Sequence, residues 1–264
     1  IESISSEPSL HLVFKNKNLL KDFKEEHVKT TDLSAFILNK KKIKELENYE
    51  KGHWWVQDLS SMLPIYLSPE IKSKKILDMC AAPGGKSFQT ICLNNKVTLN
   101  DISLKRSKTL RGNLERLNFS NEIINYNALD LPEIEKFDVI ILDSPCSGVG
   151  TLRRNPDILF KKKQPDLEFL IKIQENLINK AAKLLNKNGI IIYMVCSFFY
   201  DETKEIKYKF LKENKNFSQY KYKLGSHNSF KRFLDDEGDI FCIPSKHKNY
   251  MVDGFYSVKF MKND

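Results

Sequence analysis

Two cysteines are placed to do chemistry. Cys146 follows the apolar run FDVIILD within DSPCSGVG, and Cys196 closes the run GIIIYMV before Ser197. A thiol beside small residues at the carboxyl end of a buried strand lies where open α/β sheets bind ligands. Asp143 shares the rim with Cys146. A thiolate is a strong nucleophile, and an adjacent acid can absorb charge that develops during attack. The other cysteines lack this setting, and burial as inert core residues is the reading preferred for Cys92 and Cys242.

A second constellation is Asp78-Met79-Cys80-Ala81-Ala82-Pro83-Gly84-Gly85-Lys86-Ser87. It joins an apolar run to a helical pattern, and its paired glycines let a ligand approach the backbone and a helix N-terminus. It is not a phosphate-binding P-loop, because Cys80 stands where the first glycine of that motif belongs. GxGxxG is also absent, which excludes the dinucleotide fingerprint. Lys86 can pair with a carboxylate. Asp101 ends the next apolar run, 23 residues after Asp78, where an acid can accept hydrogen bonds from ribose hydroxyls. Asn127 closes a third run and offers a donor and an acceptor to an adenine edge.

Strands and helices must hold these groups in place. KKILDM, KVTLND, EIINYNA, FDVIILD and GIIIYMVCS read as five strands. A helix is expected from near Lys86 or Ser87. SLKRSKTLRGNLERLNF and DLEFLIKIQENLINKAAKLLNKN read as further helices, the latter closed by Gly189, and another is expected around 202–214. GDIFCIP and DGFYSVKF are expected as strands folded back at the sheet edge. Such alternation predicts a doubly wound α/β domain over 74–264. Residues 1–73 form a region of their own, in which HLVFK reads as a strand and LKDFKEEHVK as a helix. A lead-in loop carries Trp54 and Trp55 to a helix opening near Gln57 or Asp58. Packing of a subdomain seam is preferred over base stacking for the two tryptophans.

Composition bounds the partners. The 264 residues are 41% hydrophobic and 29% charged, enough for a sizeable core. No apolar stretch is long enough to span a membrane, and no secretory leader is visible. Forty-three basic against 34 acidic residues give +9, which suits a polyanionic partner. Nine basic and four acidic side chains lie in 153–187, and nine and two in 204–232. The cysteine spacings of 12, 54, 50 and 46 contain no metal-site pattern, and an odd count suits a reducing, cytoplasmic compartment.

VQDLSS, DMCAAPGGKS, DSPCSGVGTLRRNPD, MVCS and DGFYSVKF, in that order and spacing, resemble the RNA cytosine-C5 methyltransferases of the Nop2/Sun type. The similarity covers nearly the whole chain and is nearest to the bacterial 16S ribosomal RNA enzymes, which commonly carry an upstream NusB-like domain. It implies a Rossmann-like methyltransferase sheet with a small N-terminal α+β subdomain that contributes to RNA binding. It implies S-adenosyl-L-methionine as cofactor, held by Cys80, Ala81, Ala82, Pro83, Gly84, Gly85 and Lys86. Asp101 would grip the ribose, with Arg106, Asn127 and Asp143 completing the set. Cys196 would be the nucleophile, Cys146 would help release product, and the Asp143 carboxyl would meet cytosine N3. Arg153, Arg154 and Asp157 match a segment that shapes the active-site rim. No metal and no membrane are implied, the chain is expected to be monomeric, and ribosomal RNA is favoured over tRNA.

The chemistry suits the residues. Cytosine C5 is too weakly nucleophilic to attack a sulfonium methyl directly, and a thiolate added at C6 activates it. An unpaired or flipped cytosine is required, because C6 is shielded in a stacked helix. Arg153, Arg154 and lysines 161–163 are expected to contact phosphates. Three positions depart from the family: Asn127 stands for Asp, Val195 for Thr and Phe160 for Trp. None removes a reacting group. A small-molecule or protein methyltransferase would leave the paired cysteines unexplained, and their presence argues against a noncatalytic assembly factor.

Overall fold

Successive residues of the central strands face opposite sides of one sheet, and both sides are buried. Ile76, Val139, Ile141, Ile192 and Met194 join one apolar cluster. Leu77, Ile140, Leu142, Ile191 and Tyr193 join another. Strands covered on both faces read as continuous apolar runs, which is why these segments show no polar alternation. The computed structural model describes residues 9–38, 41–159 and 166–263.

The chain begins with β1 (Leu10–Phe14), α1 (Lys17–Lys21), β2 (His27–Lys29), β3 (Ser34–Ile37) and β4 (Trp54–Val56). These strands form an antiparallel sheet in the order β2-β3-β1-β4. Then come α2 (Leu59–Tyr66), β5 (Lys75–Asp78), α3 (Gly85–Cys92), β6 (Lys96–Asn100), α4 (Leu104–Arg116), β7 (Ile123–Ile124) and β8 (Phe137–Asp143). The rest is α5 (Leu167–Leu184), β9 (Leu185–Val195), α6 (Lys204–Glu213), β10 (Phe217–Gln219), β11 (Ile240–Cys242), β12 (Ser245–His247), β13 (Tyr250–Val252) and β14 (Phe255–Lys262).

The main sheet runs β10-β14-β9-β8-β5-β6-β7, with β11 paired to β14. Strands β5 to β9 in this sheet are parallel, and β14 is antiparallel to β9. The doubly wound α/β class therefore stands. Helix starts are set by side chains: Asp58, Ser103 and Asp166 each accept from a backbone N–H of the first turn of α2, α4 and α5. Helix α2, although in the first 73 residues, buries Leu59, Met62, Leu63 and Ile65 in the same cluster as β5.

Several expectations change. The helix expected over LKDFKEEHVK does not form: α1, capped by Asn16, spans Lys17–Lys21 and overlaps it only at Leu20 and Lys21, and His27–Lys29 pairs with β3 as a strand. Trp54 and Trp55 lie in a strand rather than a loop, and both are buried, 0% and 3% exposed. Their indoles donate to Glu47 O and Gln57 Oε1. The third central strand shrinks to two residues because Asn100 intervenes. Its side chain accepts from Tyr126 N–H and donates to Tyr126 O, replacing the ladder.

Helix α5 ends at Leu184, before Gly189, because Leu185 is already extended and pairs with Phe137. Residues 186–189 then bulge before pairing resumes at Ile190, with Asn188 at positive φ and Asn186 donating to Asp138. The last strand, β14, is internal to the sheet, and the unforeseen β10 forms the edge beyond it. Among the described residues no helix is long and apolar enough to cross a membrane. Phe160 and lysines 161–163 lie outside the described residues.

Candidate active site

The chain leaves β5 toward β6 and β7, then returns to build β8 and β9 on the other side. The loops after β5 and β8 therefore part at a topological switch point, where open sheets leave a crevice. Both sequence constellations stand there. Met79 N–H donates to Ile141 O, which ties the first loop to β8.

The cofactor end is built from the loop after β5 and from residues that follow the neighbouring strands β6 and β7. Gly84 has φ +116, and a Cβ there would come within 2.1 Å of the Phe88 ring, so glycine is required. Asp101 is 1% exposed. Its carboxylate accepts from Ala82 N–H at 3.1 Å and Ser103 N–H at 2.9 Å, and lies 3.5 Å from Arg106 Nη1. The Arg106 guanidinium also donates to Ala82 O. Asn127 accepts from Leu129 N–H and shares a cavity of about 320 Å³ with Cys80, Asp101 and Arg106. Ile102, Leu129, Pro145 and Ile173 supply apolar walls.

A smaller cavity of about 170 Å³ adjoins it at Cys80 and reaches Asp58, Asp78, Lys86, Asp143 and Arg154. Asp78 accepts from Ser87 Oγ at 2.6 Å, but its Oδ1 is buried with no hydrogen bond. Burial, with nearby Asp143 adding repulsion, raises its pKa to about 7 against the opposing bond from Ser87. An orphaned buried carboxylate oxygen in a small polar cavity fits an ammonium group. The wider apolar cavity, with a carboxylate and an amide, fits a nucleoside. S-adenosylmethionine carries both, so the residues present fit this cofactor.

Lys86 Nζ donates to Asp143 Oδ2 at 2.7 Å and stands 5.1 Å over the Phe255 ring. Across the same rim, Cys146 Sγ and Cys196 Sγ are 3.1 Å apart. All five cysteines are free. The hydrogen bond between the thiols, with burial, pushes the Cys146 pKa well up. The same bond pulls the Cys196 pKa down against burial and Asp143, with Lys86 assisting. The opposite directions of these shifts favour Cys196 over Cys146 as the place for negative charge.

The two arginines of the TLRRNPD segment differ in their settings. Arg153 has only 2% of its side chain exposed and donates to Asp253 Oδ1 at 3.0 Å, with Asp58 Oδ2 at 3.7 Å. It joins the start of α2 to the approach of β14 and is not available to a phosphate. Arg154 pairs with the other oxygen of Asp253 and keeps 38% of its side chain exposed toward the small cavity. Cys92 is exposed rather than buried, whereas Cys242 is 1% exposed. Ile102, 66% exposed, was missed as a cavity wall; its sign in the sequence is an isoleucine directly after the strand-end acid Asp101. Asp58 and Asp253 were missed as partners because their pairing spans the chain.

Comparison with known proteins fits this geometry. Residues 64–261 match the family model described as 16S rRNA methyltransferase RsmB/F. The chain belongs to this family of S-adenosylmethionine-dependent RNA cytosine-C5 methyltransferases. It is 35% identical over 174 residues to ribosomal RNA small subunit methyltransferase B of Photorhabdus laumondii, covering 64% of this chain and 41% of that protein. It is 30% identical over 227 residues to the human 28S rRNA (cytosine(4447)-C(5))-methyltransferase, covering 81% and 28%. The chain thus spans well under half the length of these relatives.

Among solved structures, NSun6 from Pyrococcus horikoshii with SFG, an S-adenosylmethionine analogue, matches with TM-score 0.67 and 26% identity. That match covers 88% of this chain and 60% of the other. A methyltransferase homolog from the same organism matches in fold with TM-score 0.75 and 20% identity, over 99% and 88% of the two chains. Among the described residues no group of His, Cys, Asp and Glu is placed to hold a metal.

Proposed function

We propose that this chain carries the catalytic unit of an enzyme that methylates cytosine C5 in ribosomal RNA, that of the small subunit, through a covalent Cys196–C6 adduct. The observation that carries this reading is the thiol pair, 3.1 Å apart at the ends of adjacent strands beside Lys86 and Asp143. The family and the named relatives support the ribosomal substrate. S-adenosylmethionine, when bound, supplies an electrophilic methyl group.

The residues divide the remaining work. Cys196 Sγ, as thiolate, bonds to C6 of an unpaired cytosine and moves electron density to C5. Asp143, held in place by Lys86 and carrying a proton in the RNA complex, donates it to N3 and so offsets the negative charge that develops on the ring. Loss of the C5 proton to a base then drives the C6–S bond to break, returning the electron pair to Cys196. The Cys146 thiol, by donating to the departing sulfur, stabilises the leaving thiolate. Asp101 and Asn127 hold the nucleoside of the cofactor, and Asp78 its ammonium group. Arg154 and exposed basic side chains of the N-terminal region, such as Lys17 at the start of α1, contact phosphates.

Transfer of a labelled methyl group to small-subunit ribosomal RNA tests the reading. Incorporation at cytosine C5, seen as a bisulfite-resistant position, is expected. No incorporation into any RNA pool would overturn the activity, and incorporation into tRNA alone would overturn the ribosomal substrate.

A further inference from the structure

Glu202 is 0% exposed, yet none of the chemistry above uses it. It lies in the 3-10 turn ahead of α6. Its Oε1 accepts from Ser147 N–H at 2.8 Å and from Gln174 Nε2 at 3.1 Å, and its Oε2 accepts from Ser147 Oγ. Both carboxyl oxygens of Glu202 are thus engaged by groups able to donate. Gln174, on α5, also donates to Pro145 O at 2.9 Å. The backbone on both sides of Cys146 is thus clamped by one carboxylate and one amide. Tyr193 links the clamp to β9, the strand that ends at Cys196. Its hydroxyl lies 3.1 Å from Gln174 Oε1 and 2.9 Å from the Glu202 carbonyl oxygen.

A buried carboxylate is costly to keep in a low-dielectric interior, and replacement by neutral side chains would build a loop more cheaply. We propose that Glu202 is a positioning residue that divides the labour of the two thiols, holding Cys146 as the protonated donor so that Cys196 carries the negative charge. This rests on the covalent reading of Cys196. Two effects act together. The clamp fixes Cys146 Sγ at bonding distance from Cys196 Sγ, and the carboxylate charge opposes a second negative charge on Cys146. The charged groups facing the two sulfurs are Asp143, Lys86, Glu202 and Arg154, with the Tyr193 ring buried beside Cys146. Of these, Glu202 alone grips the residue next to Cys146 in the chain.

The test is limited alkylation of the RNA-free chain with iodoacetamide, with the ratio of label on Cys196 to Cys146 read by mass spectrometry. The unsubstituted chain should label Cys196 well ahead of Cys146. Glu202→Gln keeps the shape and removes the charge, and should lower that ratio about tenfold, the change produced by one pKa unit of relative displacement. Glu202→Asp, which keeps the charge, should restore part of it. S-adenosylhomocysteine binding, retained in each variant, separates this effect from misfolding. An unchanged ratio in a Glu202→Gln chain that still binds would overturn the proposal, as would preferential labelling of Cys146 without any substitution. If Glu202→Gln does not fold, Ser147→Ala decides, since it removes one donor to the same carboxylate. A fall of about threefold supports the clamp, and no change overturns it. The covalent reading fails separately, by absence of an RNA adduct on Cys196, a result this labelling does not depend on.

Discussion

The two ends of the active site are held by different means. At the cofactor end these contacts join neighbouring loops no more than 24 positions apart: Asp101 binds Ala82 and Ser103, Arg106 reaches Ala82, and Gly84 makes the turn. At the thiol end the contacts bridge distant parts of the chain. Arg153 joins Asp58 to Asp253, Gly150 touches Gly254, and Glu202 grips Ser147. The cofactor end should therefore tolerate injury to the thiol end, and the reverse injury should leave the thiols paired.

The largest effect is expected from Arg153→Ala, which leaves two buried carboxylates with Arg154 between them. Breaking a buried ion pair from one side costs about 3–5 kcal/mol, so thermal unfolding should show a lowered Tm. Asp253 already has its pKa raised to about 6, by burial first and then by Asp58. Without Arg153 that pKa rises further, so the deficit should shrink as pH falls toward 6 and Asp253 takes a proton. An Arg153→Ala chain as stable as the parent would break the comparison at its strongest point.

Gly150→Ala comes next. A Cβ there would lie 2.0 Å from Gly254 O and 2.9 Å from Cys196 O, both backbone atoms. The expected cost is about 1–3 kcal/mol, as for overpacking in a tight core, together with loss of methyl transfer. S-adenosylhomocysteine binding, measured by calorimetry, should survive. Asp101→Ala should do the opposite, lowering that affinity about tenfold to a hundredfold through loss of charge-assisted bonds. The thiols should keep their labelling preference.

The smallest effect concerns Asp78. Its folded pKa of about 7 lies above the ordinary carboxylate value of 3.8. The folded chain then binds more protons than the unfolded chain between these values, and stability contributed by this group falls as pH rises through that window. Asp78→Asn should raise Tm at pH 8 and change little near pH 4. Cofactor binding, which favours the ionised form, should tighten from pH 6 to 8 in the parent and lose that slope in the variant. A parent profile that weakens with rising pH would remove Asp78 from the ammonium site.

The same contrast explains what the sequence made legible. The loop from Asp78 to Ser87 is contiguous, so residue type and order expose its glycines and its strand-to-helix setting. The central strands are legible because burial on both faces leaves unbroken apolar runs. The N-terminal sheet was largely hidden: β3 is four buried residues with no polar alternation, and β2 is three residues flanked by charge. The shortening of the third strand depends on the Asn100 side chain, a tertiary contact with Tyr126. Arg153 read as a surface cation because nothing in its neighbourhood reveals Asp58, 95 positions before it, or Asp253, 100 positions after it. Asp58 and Asp253 stood within segments that matched a family pattern, but a pattern does not disclose who pairs with whom.

The central claim is that Cys196 attacks and Cys146 assists release, and a denaturing gel tests it most directly. Each single cysteine variant, first shown to bind S-adenosylhomocysteine, is incubated with ribosomal RNA and S-adenosylmethionine. Cys146→Ala should accumulate a protein–RNA species that survives denaturation, because Cys196 remains to attack and release is impaired. Cys196→Ala and the double variant should form none, with methyl transfer lowered at least about 10³-fold. A persistent adduct in Cys196→Ala and none in Cys146→Ala would contradict the account and make Cys146 the nucleophile.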